Sequence, residues 1–267
     1  MTKTTPGAAF WETVAQRTGP VHEVRAAERG FTSTFVGFAD TVSGRIFIKA
    51  LHLPSRDEVC FERESAINPY LAGIAPRLLW SFRESGWFGL GFEAIEGSHA
   101  DITPGSADLA AVTGVLNRVT TLDLPPVAAE WTETRWNAYH PDAARLFAGN
   151  ALVHSDINPS NILIRETEAA LVDWGYPTRG AAYIDAASFV VQLIASGHSP
   201  HSAESVVNDL DAWRAADPAA LDAFAFATVH LFRRAEKRDP GQWRQAMTSA
   251  AVGWAEHRGV ELHAPPA

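Results

Sequence analysis

The sequence is short of several things at once, and each shortage narrows what the chain can be. It holds a single cysteine, Cys60, which rules out an intrachain disulfide framework and fits a reducing cytoplasm. No apolar run approaches membrane-spanning length, and Met1 to Gly19 lacks the apolar core of a signal peptide. A soluble, cytoplasmic protein with no membrane partner is expected. Positive charge is scarce too: 22 Lys and Arg against 31 Asp and Glu leave a formal net charge of −9. General nucleic-acid binding needs a basic face and is not expected. The acidic balance is compatible with a cationic ligand, although solubility alone is the commoner reason for such a charge. Low-complexity sequence is confined to the Ala/Pro-rich tail His263 to Ala267, and no internal repeat is visible. The histidines include His198 and His201, but with no cysteine beside them and no second cluster they make no zinc set and read as loop residues.

At 267 residues the chain can bury a substantial core, as one large domain or two lobes. Its first third is rich in strands. Ala8 to Arg17 places Phe10, Trp11 and Val14 at helical spacing, and Gly19-Pro20 stops that helix. Val21 to Arg25 follows as a strand, then Gly30 to Val36 as a small polar loop running into a second, a turn over Asp40 to Gly44, and Arg45 to Leu51 as a third. Pro76 to Trp80 and Phe88 to Ala94 add two more around Glu84-Ser85-Gly86. An antiparallel sheet is expected. From about Gly97-Ser98 the pattern becomes helical: Pro104 to Leu122, Ala128 to Gly149 with a break near His140-Pro141, Ala186 to Ser196, Ser202 to Ala215, Pro218 to Lys237 and Gln242 to His257. The class is α+β, divided as residues 1–97 and 98–267.

Lys49 stands out in the first part. Its strand is otherwise apolar, and lysine is depleted in strands and costly to bury unpaired. It either blunts a sheet edge or meets a carboxylate. The predicted helix Val59 to Leu71 offers Glu62 and Glu64, and Asn68-Pro69 within it is expected to shorten or kink it.

The stretch from Leu152 to Gly175 carries the densest chemistry. Two short apolar runs, Ile162 to Ile164 and Ala170 to Val172, flank the polar loop Arg165 to Ala169 and predict a hairpin. With Ile164 facing Ala170 and Ile162 facing Val172, Asn161 falls opposite Asp173, where opposed Cβ atoms lie about 4.5–5.5 Å apart. Asp156 sits on the preceding loop at the same end. An oxygen-only trio of this kind suits Mg²⁺, which takes further ligands from water and phosphate. The alternative is a solvated strand–turn–strand rich in turn-forming Asp, Asn and Pro.

The spacing His154-x-Asp156-x-x-x-x-Asn161, followed by Asp173-Trp174-Gly175, matches a phosphoryl-transfer layout of catalytic loop and metal aspartate. In detail it resembles the aminoglycoside phosphotransferase/choline kinase family, with Ser155 where glycine is usual. The resemblance implies a two-lobed protein-kinase-like fold: a small antiparallel N-terminal lobe that binds nucleotide, and a larger helical lobe for catalysis and acceptor. It implies that Asp156 acts as catalytic base while His154 braces the loop. Asn161 and Asp173 would hold Mg²⁺. Lys49 would contact the α- and β-phosphates of ATP or GTP, paired with Glu64, whose distance from Leu71 matches the family's spacing; Glu62 is the alternative. Ser33 and Thr34, at the end of Gly30-Phe31-Thr32-Ser33-Thr34, would cover the phosphates. The linker Phe92 to Gly97, with Glu93 and Ile95, would bind adenine through its backbone. Asp185 reads either as a helix N-cap or, by the resemblance, as a brace for the catalytic loop's backbone.

The expected reaction is transfer of the γ-phosphate to a hydroxyl of a small molecule, an aminoglycoside-like or other antibiotic, by a monomer or dimer. Three other functions compete with it: nucleotidyl transfer on the same fold, a regulatory nucleotide-binding pseudokinase, and a metal-dependent hydrolase. The last leaves Lys49 and Glu64 unexplained.

Overall fold

The computed structural model of the chain describes residues 5–27 and 33–264. These form two compact units. The first comprises Met1–Glu96 with Leu171–Tyr176, the second Gly97–Ala170 with Pro177–Ala267. A single division at residue 97 therefore misses a short return of the chain to the first unit.

The first unit is built on a five-stranded antiparallel sheet. In chain order come α1 (Ala8–Thr18), β1 (Val21–Ala26), β2 (Phe35–Thr41), β3 (Gly44–His52), α2 (Glu58–Ile67), β4 (Leu78–Glu84) and β5 (Trp87–Glu93). The spatial order is β1-β2-β3-β5-β4, so β3 is the central strand. Its side chains alternate between two cores, as the pleat requires. Ile46, Ile48 and Ala50 pack with Phe10 and Val14 of α1. The opposite set, with Leu51, joins Phe61 of α2 and Phe88, Leu90 and Phe92 of β5. Lys49 shares the parity of Leu51, so the alternation sends it toward α2. Two glycines in β5 make room for aromatic rings: a Cβ on Gly89 would come within 2.6 Å of the Phe82 ring, and one on Gly91 within 2.2 Å of the Trp80 ring. Those two rings, both on β4, stack on each other at 5.5 Å opposite their glycine partners on β5.

Helix α2 ends at Ile67, and Asn68–Tyr70 continues it as one tighter 3₁₀ turn. The Asn68 side chain then caps neighbouring backbone, donating to Pro76 O and accepting from Leu78 N.

The second unit carries β6 (Ser98–His99), α3 (Leu109–Thr120), α4 (Ala143–Leu146), β7 (Ala151–Val153), β8 (Ile162–Arg165), most of β9 (Glu168–Leu171), β10 (Thr178–Gly180), α5 (Ile184–Ala195), α6 (Pro200–Val207), α7 (Asp211–Arg214), α8 (Pro218–Arg238) and α9 (Gln242–His257). Helix α5 is buried along most of its length. It packs against α6, α7, α8 and α9, as expected of a helix that is apolar on nearly all sides. Two small sheets, β10-β7 and β6-β8-β9, hold the loop that follows β7.

Several expectations need correction, among them the single helix Ser202 to Ala215, which is two, α6 and α7. The stretch 128–149 is not a helix: within it only Ala143–Leu146 is α-helical. The backbone of Arg179 claims the groups a helix would use, donating to Trp131 O at 2.7 Å and accepting from Glu133 N at 2.9 Å. Next, the β8–β9 connection is two residues long rather than five, because Glu166 takes a left-handed backbone (φ 55°) that closes a tight turn. Both Asn161 and Asp173 then fall outside the strands. Finally, His201 lies in α6, and His198 is buried with its ring nitrogens near Ile102 O at 3.0 Å and Ser202 Oγ at 3.2 Å.

Candidate active site

In the first unit Lys49, Glu64 and Asp173 meet. Cys60, Phe61, Glu64 and Ile67 are the buried residues of α2, one face of that helix. Lys49 Nζ lies 2.7 and 3.0 Å from the two oxygens of Glu64, and 2.7 Å from Asp173 Oδ1. Glu64 and not Glu62 is thus the partner; Glu62 pairs with Arg83 at 2.9 Å. Lys49 occupies a central strand, which disposes of the edge-lysine reading. Burial alone would drive its ammonium toward neutrality, but the two carboxylates more than offset this and hold its pKa above the ordinary lysine value. The Asp173 side chain keeps 44 % of its exposure, against 6 % for Glu64. Asp173 has a left-handed backbone (φ 64°). Trp174 anchors it from behind, 2 % exposed and donating its indole N–H to Leu171 O at 3.1 Å.

Other first-unit candidates are less gathered. Glu93 ends β5 and its Oε1 accepts from Arg77 N at 3.0 Å, while Ile95 is half-buried just beyond. The Thr34 oxygen accepts from His52 N at 2.9 Å, fastening the start of β2, and Ser33 precedes it. Gly30, Phe31 and Thr32 lie outside the described residues.

In the second unit the loop after β7 is braced from several sides. Asp185, buried in the first turn of α5, accepts from His154 N at 2.7 Å and Ser155 N at 2.9 Å. It is the loop brace rather than an N-cap, which is Tyr183. Burial pushes the Asp185 carboxyl above its ordinary pKa, against the pull of His154 and the two N–H groups. His154 is 1 % exposed, and its Nδ1 accepts from Asp156 N at 3.3 Å. Ser155 adopts φ 63°, the region that explains why glycine is common there in the resembled family. Its carbonyl accepts from Arg135, whose backbone N–H reaches Glu133 at 2.6 Å, while Glu133 also takes the Thr178 hydroxyl at 2.7 Å. Glu133, Arg135 and Thr178 escaped the sequence reading. Glu133 and Arg135 lie ahead of the motif in the stretch expected to be helical, and Thr178 lies just past it, where no element was expected.

The Asp156 side chain is exposed, and Asn161 is buried beside it. Asn161 Nδ2 donates to both Asp156 O and Asp156 Oδ2 at 2.9 Å, and Asn158 Nδ2 to Asp156 Oδ1 at 3.2 Å. These bonds fix the orientation of the Asn161 amide and leave its oxygen, a hard donor, for another role. The Asp173 carboxylate in the first unit and the Asn161 amide oxygen in the second are each a hard oxygen donor of the kind Mg²⁺ takes. Among the described residues no group of three or more His, Cys, Asp or Glu side chains is arranged to hold a metal.

A buried lysine–glutamate pair beside an aspartate, and a braced His-x-Asp loop with its asparagine, are the working parts of kinase-type phosphotransferases. The sequence model of the phosphotransferase enzyme family matches residues 96–224. No curated protein matches the chain by sequence. Among solved structures, a protein from Ralstonia eutropha assigned as an aminoglycoside phosphotransferase superposes with TM-score 0.63 at 13% identity, covering 95% of this chain and 98% of that one. A thermostable variant of aminoglycoside phosphotransferase APH(4)-Ia, in ternary complex with ADP and hygromycin B, gives 0.60 at 13% identity over 93% and 99%. A protein from Haemophilus somnus assigned as a fructosamine-3-kinase gives 0.56 at 10% identity over 91% and 95%. The fold is the kinase-like α+β fold of the aminoglycoside phosphotransferases, and the family match supports a phosphotransferase. Both agree with the resemblance read from the sequence.

Proposed function

We propose that the chain moves the γ-phosphate of ATP or GTP to a hydroxyl of a small molecule, foremost an aminoglycoside-like or other antibiotic, in the cytoplasm. The observation that carries this reading is Lys49, a lysine sealed inside a central strand and held by Glu64 and Asp173. Phosphoryl transfer relies on positioning and charge neutralisation, and a fixed ammonium supplies both for the α- and β-phosphates. Asp156 orients the acceptor hydroxyl and takes its proton, a role suited to an exposed carboxylate held by Asn158 and Asn161. His154 packs inward and braces the loop. Asn161 and Asp173 would hold Mg²⁺, which when bound neutralises phosphate charge. Ser33 and Thr34 cover the phosphates, and the backbone from Glu93 to Ile95 receives the base. Residues 1–97 would supply most of the nucleotide site and 98–267 the acceptor site. A net charge of −9 is compatible with an amine-bearing acceptor, and the structural similarity to a hygromycin B complex supports one.

A nucleotide-consumption screen tests the reading. ATP or GTP with Mg²⁺ is offered alongside aminoglycosides, other hydroxylated antibiotics, choline-type alcohols and sugars. One class should gain phosphate, and Asp156→Ala and Asp173→Ala should each abolish turnover with the circular dichroism spectrum unchanged. Full activity in those variants would overturn the mechanism. A product carrying a nucleoside monophosphate would replace it with nucleotidyl transfer.

A further inference from the structure

The reading above uses Lys49, Glu64 and Asp173 but leaves two neighbours without a role. Within the first unit, α2 lies alongside Leu171–Tyr176. Glu64 accepts from the Trp174 backbone N–H. One turn earlier on the same helix face, Cys60 sits beneath Gly175, where an added Cβ would stand 3.4 Å from the cysteine Cβ. Next in the chain, the Tyr176 hydroxyl is hydrogen-bonded to the Cys60 thiol. Cys60 is 3 % exposed while Tyr176 is 43 % exposed, so a surface aromatic commits its hydroxyl to a buried sulfur.

The segment is pinned at its start by Leu171 N, which donates to Ile74 O at 2.8 Å, and by the Trp174 indole. Gly175 has no side chain with which to hold its exit, so Tyr176 fastens it to α2. Between these points Asp173 holds a left-handed backbone, which aspartate adopts more readily than most residues but still less readily than an extended or right-handed one. We propose that the Cys60–Tyr176 hydrogen bond is a clasp that fixes Asp173 in its metal-binding pose, making Cys60 and Tyr176 positioning residues for the Mg²⁺–nucleotide complex. This rests on the reading of Asp173 as a metal ligand.

The test measures ATP binding by calorimetry across a Mg²⁺ titration, which needs no acceptor, in the wild type, Tyr176→Phe, Cys60→Ala and Cys60→Ser. Tyr176→Phe and Cys60→Ala should raise the Mg²⁺ concentration for half-maximal ATP affinity roughly three- to tenfold, the worth of one ordinary hydrogen bond. Cys60→Ser keeps an acceptor for the tyrosine and should restore the wild-type value. In parallel, maleimide labelling of Cys60, the chain's one cysteine, should accelerate several-fold in Tyr176→Phe. Unchanged Mg²⁺ dependence in both disrupting variants would overturn the clasp, even if labelling accelerates, because the bond would then be merely structural. A wild type that binds no ATP at any Mg²⁺ concentration would instead overturn the nucleotide-site reading, and the clasp with it.

Discussion

Glu64 offers both carboxylate oxygens to the Lys49 ammonium, at 2.7 and 3.0 Å, and the two side chains keep only 6 % and 10 % of their exposure. So dry an ion pair depends on both members. Removing one partner of a buried pair typically costs about 3–5 kcal/mol. Glu64→Ala leaves the ammonium with Asp173 alone, so a smaller loss of roughly 1–3 kcal/mol is expected. ATP affinity should fall about tenfold or more as Lys49 loses its fixed position. Thermal unfolding and calorimetric titration read the two effects separately.

Asp185→Asn tests the loop brace. The amide keeps the shape but loses the charge that two buried N–H groups share, and a loss of roughly 2–4 kcal/mol is expected. With an acceptor from the screen, kcat should fall far more than the KM for nucleotide changes, because the loop it braces carries Asp156. Steady-state kinetics and denaturant unfolding check both parts. A fall in nucleotide affinity with kcat intact would contradict the brace.

The protein should lose stability in mild acid for a local reason. His230 and His140 both have lowered pKa values, with burial the largest cause in each. The His230 Nε2 is buried without a hydrogen-bond partner among the described residues. A folded pKa below the unfolded value near 6.5 means the unfolded chain takes the proton first. Their contribution is therefore complete above about pH 6.5 and is lost as pH falls through the folded values. Each group bounds the slope at about 1.4 kcal/mol per pH unit. These two groups should lower the melting temperature from pH 7 to 5, against the opposite push of the buried Asp185 carboxyl. His230→Phe, which keeps an aromatic ring beside Phe226, should flatten part of that drop.

Ser155 allows a cleaner comparison between two variants. Ser155→Ala and Ser155→Gly both lose the hydroxyl that lies 3.4 Å from Thr178 Oγ1. Only glycine also relieves the φ of 63°. The glycine variant should be the more stable of the two by about 1 kcal/mol in denaturant unfolding. Equal stabilities would mean that the left-handed backbone is not held at this position in solution.

The sequence was most legible where chemistry and periodicity disagreed. A lysine in an apolar strand could be singled out because its burial demands a partner, and the helix after it held that partner. The long helices α8 and α9 were readable from their spacing alone. What could not be read depended on distant segments. Trp131 and Glu133 look helical locally, yet Arg179 claims their backbone. The hairpin turn at Glu166-Thr167 lacks the Asn-Gly signature of tight turns, so it passed for a longer loop. The support of Ser155 by Arg135, Glu133 and Thr178 joins three stretches of chain, and no local pattern announces it.

The return of Leu171–Tyr176 to the first unit has a consequence for any attempt to divide the protein. The backbone passes between the two units at Glu96–Gly97, Ala170–Leu171 and Tyr176–Pro177. A fragment ending at Glu96 would keep Lys49 and Glu64 but lack the aspartate that completes their cluster, and its complement would carry that aspartate with neither of them. The gene therefore cannot be split after Glu96 into two halves that each retain an intact set of side chains.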